Sequence, residues 1–181
     1  MKFLRRITPI LILLLLASFM AGCAAPAGTV KKTSPLSISP SLSIDAILVE
    51  TVSSSSGSDA ERHRLADAIL SGLNDTGLFK HVSTNRADVA GHNGVKVFAD
   101  INEIKKVSDT ARAWEGAWAG QTRILVQVTI TDLTSGHPVE TFSAEGQSGK
   151  SAWAGTTDEA IQEAAAQITA EVVKINAQTS Q

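Results

Sequence analysis

The chain has 181 residues, with 16 Lys and Arg against 18 Asp and Glu, a net charge of −2, and one cysteine. That length holds one domain with a real core. A single cysteine excludes an internal disulfide, and the acidic balance argues against nucleic acid, whose phosphates call for a basic surface. At the N-terminus Lys2, Arg5 and Arg6 form a positive flank to the mostly apolar run Ile7 to Ala21. About fifteen such residues suit the core of an export signal, whereas a spanning helix needs about twenty. Residues 1–22 are therefore predicted to be a signal peptide. Its loss removes three positive charges and leaves 159 residues at a formal charge of −5.

Small residues, Ala21 and Gly22, precede Cys23 in "SFMAGCAAPAG". The stretch resembles the bacterial lipobox. That resemblance implies cleavage between Gly22 and Cys23, a diacylglycerol on the Cys23 thiol and acylation of the new amine. Met20 stands where leucine is usual. Residue 24 is Ala rather than Asp, which by family analogy implies the outer membrane over the inner one; the domain is expected to face the periplasm, and the sequence leaves a surface-exposed orientation open. Two or more acyl chains anchor stably where one binds only marginally.

Residues 23–43, the lipidated N-terminus followed by "AAPAGTVKKTSPLSISPSLS", are rich in Ala, Ser and Pro without periodicity and are expected to be a flexible tether. Residues 44–175 are expected to form a single domain, and a chain beginning near Ser41 is expected to keep both helices and every strand. Ile44 to Val52 is almost continuously apolar, as a central strand would be. Ser58 and Glu61 make an S-x-x-E capping box. Leu65, Ala66, Ile69, Leu70 and Leu73 follow at helical spacing, and Gly77 supplies a left-handed cap. "LFKHV" (78–82) is a short strand. "NRADVAGHNG" is a turn-rich connection.

Val95, Val97, Ala99 and Ile101 alternate with polar or solvent-facing positions, then the phase slips to Ile104 and Val107. A bulge near Asn102–Glu103 would cause this. "RILVQVTITD" places Ile124, Val126, Val128 and Ile130 on one face. "LTSGHP" is a hairpin connection in which Gly136 takes a positive φ, and "VETFSAEG" is the partner strand. Thr156 and Glu159 suggest a second capping box. The last helix carries Ile161, Ala164, Ala165, Ile168, Val172 and Ile175 on one stripe, before a frayed tail at 176–181. The order β-α-β-β-β-β-α predicts an α+β fold: a two-layer sandwich, a mixed sheet of about five strands with two helices on one face. The other face meets water or a partner.

"GLF" after the first helix, "AGQTRILVQVTITDLTSGHPVETFSAEGQSGKS" and "AGTTDEAIQEAAAQI" resemble a family of small bacterial lipoproteins known only as a domain of unknown function. The pattern is more distantly similar to the lipoprotein activator of penicillin-binding proteins and to the curli secretion lipoprotein. The resemblance implies fold and location and no established activity.

Sites for chemistry are few. His63, His81, His92 and His137 show no metal-ligand spacing. There is no G-x-S-x-G elbow and no phosphate-binding glycine loop. No catalytic residue, metal or cofactor is expected. The most suggestive residues are Trp114, Trp118 and Trp153. "WAG" occurs twice, at 118–120 and 153–155. In an antiparallel meander both segments leave the same end of the sheet. The tryptophans there either plug the core or form a partner site, since tryptophan is enriched in binding hot spots. The functional expectation is a non-enzymatic binding or scaffold module, held to the membrane through its N-terminal lipid. Its partner would be an unknown envelope protein or another copy. The alternative is a small-ligand carrier or enzyme with a site at loop ends.

Overall fold

The computed structural model describes residues 29–32, 44–54, 57–106, 121–149 and 156–179. Its strands are β1 (Val30–Lys32), β2 (Ala46–Ser53), β3 (His81–Ser83), β4 (Gly94–Lys105), β5 (Arg123–Asp132) and β6 (Pro138–Gln147). Two helices, α1 (Asp59–Asp75) and α2 (Thr157–Thr179), and a 3-10 turn at Arg86–Val89 complete the described elements. The strands form one mixed sheet in the order β1-β6-β5-β4-β2-β3. β2 pairs in parallel with both β3 and β4, and the remaining pairings are antiparallel. The fold is α+β as expected, with one strand more than the sequence suggested.

Both helices pack on one face. Leu65, Ile69 and Leu73 of α1 and Ile161, Ile168, Val172 and Ile175 of α2 are buried with Ile47, Val49, Val97, Ile101, Ile124, Val126, Val128 and Ile130 of the sheet. The α1 capping box forms in full: Ser58 N–H donates to Glu61 Oε2 at 2.7 Å, and Glu61 N–H donates back to Ser58 Oγ at 3.5 Å. Gly77 adopts φ +64°, as a left-handed helix end requires. The register slips between Ile101 and Glu103, the bulge expected from the change of apolar phase. Gly146 has a packing reason: a Cβ there would stand 1.9 Å from Ala160 O, because α2 lies directly on β6.

β2 is apolar on both sides for a visible reason. Ile47 and Val49 face the helices, while Ala46 and Leu48 join Val89 in a small second cluster on the opposite face. The rest of that face is mostly polar, with Phe98 and Leu125 among its half-buried side chains. Phe98 stands opposite Thr129, and Thr129 opposite Thr141. Ser143 Oγ donates to Gln127 Oε1 at 2.8 Å, and Arg123 Nε lies 2.8 Å from Glu145 Oε1.

Three features depart from the sequence reading. Val30–Lys32, inside the expected tether, is an edge strand on β6, so a chain beginning at Ser41 would lose a strand. The short strand after α1 is His81–Ser83 rather than 78–82, because parallel pairing with Ala46–Leu48 sets its register. Helix α2 continues through Asn176 to Thr179, where Thr179 is buried and its hydroxyl donates to Asn176 O at 2.9 Å. Those four residues are helix rather than frayed tail.

Candidate functional site

The most unusual chemistry lies at the β1 edge of the sheet. Glu140 is in phase with Phe142, Ala144 and Gly146 on β6 and so points beneath α2, with its side chain fully buried. Glu171 reaches the same place from α2, one position from the apolar stripe. Lys32 Nζ lies 2.5 Å from Glu140 Oε1 and 2.5 Å from Glu171 Oε1, and Lys174 Nζ is 3.3 Å from Glu171 Oε1. Burial alone would lower the Lys32 ammonium, but hydrogen bonds and charge from the two carboxylates raise it above the ordinary lysine value. Burial would raise Glu171, but Lys32 and Lys174 hold it below the ordinary glutamate value. Glu140 Oε2 has no hydrogen-bond partner among the described residues. A buried carboxylate is tolerated only with a cation beside it, and here the N-terminal arm supplies that cation.

A second anchored end closes the core where β4, β5 and β6 meet. Lys106 Nζ bridges to Glu61 Oε1 at 2.6 Å. This bridge and the Ser58 hydroxyl, working against burial, hold the Glu61 carboxyl down at about 2. Thr122 and Ser148 exchange hydrogen bonds at 2.9 Å. Gln121 Nε2 donates to Ser148 O at 2.5 Å. Gly149 N–H donates to Glu159 Oε2 at 3.1 Å, and Glu159 N–H donates to Thr156 Oγ1 at 3.1 Å. The residues flanking 107–120 and 150–155 thus share one end of the sheet. Trp114, Trp118 and Trp153 themselves lie outside the described residues, as do Gly22 and Cys23.

At the opposite end Asp132 organises the hairpin. Its Oδ1 accepts from Thr134 N–H at 2.9 Å, Ser135 N–H at 2.6 Å and Ser135 Oγ at 2.9 Å, and Gly136 takes φ +71°. Burial would raise Asp132, yet these donors bring it below its ordinary value. His81 and His92 stack with ring centroids 4.0 Å apart. Beside them an open cleft of about 400 Å³ is lined by Arg86, His92, Asn93, Leu133 and Thr134. Among the described residues no three His, Cys, Asp or Glu side chains are grouped to hold a metal, and no helix is long and apolar enough to cross a membrane.

The Lys32–Glu140–Glu171 group was missed in the sequence. Its signal was present: Glu140 alternates with Phe142 and Ala144, and Glu171 falls three residues after Ile168. Lys32 gave none, since "VKK" has no period to read.

No curated protein is significantly similar in sequence. Among solved structures the chain is similar to the PelC dodecamer from Paraburkholderia phytofirmans, at 15% identity and a TM-score of 0.52, covering 82% of this chain and 96% of that one. A leucine-to-methionine variant of PelC from the same organism, also a dodecamer, gives 15% identity and 0.51 over the same shares. Protein XCC0632 from Xanthomonas campestris, a DUF330 protein, gives 14% identity and 0.44, covering 83% and 95%. At these identities the first two show a shared fold. These matches do not bear on the more distant likeness to the penicillin-binding protein activator or the curli lipoprotein. A family model matches residues 31–152, and the chain belongs to that family, the domain of unknown function DUF4410.

Proposed function

We propose that the chain is a lipid-anchored, non-enzymatic scaffold module of the bacterial envelope, built to associate with further copies of itself. The observation that carries this is the fold shared with PelC over 96% of that chain, a protein found as a dodecamer. The lipobox around Cys23 and the acidic mature charge support the anchoring half: a net charge of −5 disfavours electrostatic adhesion to anionic lipid, so acyl chains would do the membrane work. Ala24 after Cys23 supports, by family analogy, retention at the outer membrane. Trp114, Trp118 and Trp153, in the segments whose flanking residues Lys106, Gln121, Gly149 and Thr156 share one end of the sheet, are the candidate contacts for a partner, whether another copy or a second envelope protein. No cofactor is needed for such a role.

Anchoring has a direct test. Labelled palmitate should enter the wild-type chain and not Cys23→Ala, and the variant should move from the membrane to the soluble periplasmic fraction. Equal labelling of both, or an unchanged distribution, would remove the anchor from the account.

A further inference from the structure

The arm strand β1 is attached unlike any other strand. Its three residues are all exposed, and it pairs only with β6, at Phe142–Ala144, with one further backbone bond from Glu145 N–H to Thr29 O at 3.2 Å. No apolar side chain of β1 belongs to the core. What it inserts is one ammonium, that of Lys32, between the buried Glu140 and Glu171. The edge of β6 with this carboxylate pair is a receptor for an extended strand that carries an inward-facing lysine.

Resting on the self-association reading above, we propose that the Val30–Lys32 arm is exchanged between copies. In the assembly the arm of one copy pairs with β6 of its neighbour, and its Lys32 enters that neighbour's Glu140–Glu171 pair. The link between Lys32 and Ile44 permits this. In the sheet order β1 stands four strand spacings from β2, about 19 Å at about 4.8 Å each. The register also sets Lys32 level with Thr51, seven residues along the chain from Ile44, so closure within one copy spans about 30 Å; residues 33–43 can span about 40 Å, which leaves slack toward a neighbouring edge. The contacts are identical in both arrangements, so exchange sacrifices none of them. The balance rests on effective concentration, which anchoring raises: Cys23 precedes Val30 by seven residues, so anchored copies present their arms within about 25 Å of one membrane plane. Glu140 supplies the specificity, because an edge docked by a strand without the ammonium leaves that carboxylate buried alone.

The test uses full-length, membrane-anchored chains that keep Cys23, whose sulfur the lipid would occupy, co-expressed under two tags and extracted in mild detergent. One carries Lys31→Cys and the other Ser143→Cys, positions directly opposite in the β1–β6 register. Exchange predicts a disulfide between differently tagged copies after mild oxidation. Adding Lys32→Ala to the arm donor, or Glu171→Gln to the acceptor, should cut its yield several-fold while thermal melts show both chains folded. A disulfide formed only within the double variant Lys31→Cys/Ser143→Cys, with none between tagged copies, would overturn exchange. So would an intercopy disulfide indifferent to both additional substitutions. Light-scattering mass on the same samples separates the two readings: oligomers without intercopy disulfide sink the exchange alone, and monomers sink the self-association as well.

Discussion

Lys32 holds the arm, and the arm neutralises Glu140. Lys32→Met keeps the length of the side chain and removes the charge, leaving Glu140 buried beneath α2 without its cation. Breaking a fully buried pair costs about 3–5 kcal/mol. Here the Lys32 side chain is 40% exposed, so water can reach part of the site, and a loss of about 1–3 kcal/mol is expected in denaturant unfolding. Adding Glu140→Gln should recover most of it, because no carboxylate is then left buried unpaired. A Lys32→Met protein as stable as wild type would mean that the arm does not neutralise Glu140. Glu61 offers the pH counterpart. Its folded value is about 2 against an ordinary 4.5, so it contributes stability that is present above about pH 4.5 and lost as the pH falls toward 2. Glu61→Gln should therefore cost about 1–2 kcal/mol at pH 7 and nothing near pH 2, so that the wild-type and variant stability curves converge in acid. Parallel curves would contradict this assignment.

At the scale of elements, α2 is pressed onto β6 at Gly146. A methyl group there would meet the Ala160 carbonyl at 1.9 Å and Ala164 N at 2.7 Å, both backbone atoms that cannot swing aside. Gly146→Ala should separate helix from sheet and cost about 1–3 kcal/mol or more, read as a lowered melting midpoint, and a neutral substitution would place the helix elsewhere. Much of this layer was legible in the sequence. Ile124, Val126, Val128 and Ile130 fixed one face of β5, the i, i+3, i+4 stripes marked both helices, and the phase slip after Ile101 located the bulge. What was not legible depends on neighbours. Val30–Lys32 is a strand because β6 has an open edge to pair with, and three residues hold too little pattern to announce it. His81–Ser83 is set by its parallel pairing to β2 rather than by its own apolar positions. Thr179 reads as a polar tail yet is buried, and its hydroxyl bonds back to the helix at Asn176 O. The candidate sites divide in the same way: Cys23 and the tryptophans stood out as residue types, whereas the Lys32–Glu140–Glu171 group exists only once edge strand, sheet and helix are assembled.

For the whole molecule, the proposed scaffold would join a lipid anchor, a two-layer domain and self-association. The helix face is closed by its own core. The opposite face carries half-buried Thr, Ser and Gln side chains over β5 and β6, and the sheet's outermost long strand, β6, is covered along only three paired residues. Edges of this kind invite pairing with another chain. Self-association is read directly from the mass in solution of the chain from Ala24 to Gln181, by light scattering across a dilution series. A defined assembly of several copies is expected. A monomer at every concentration would contradict it.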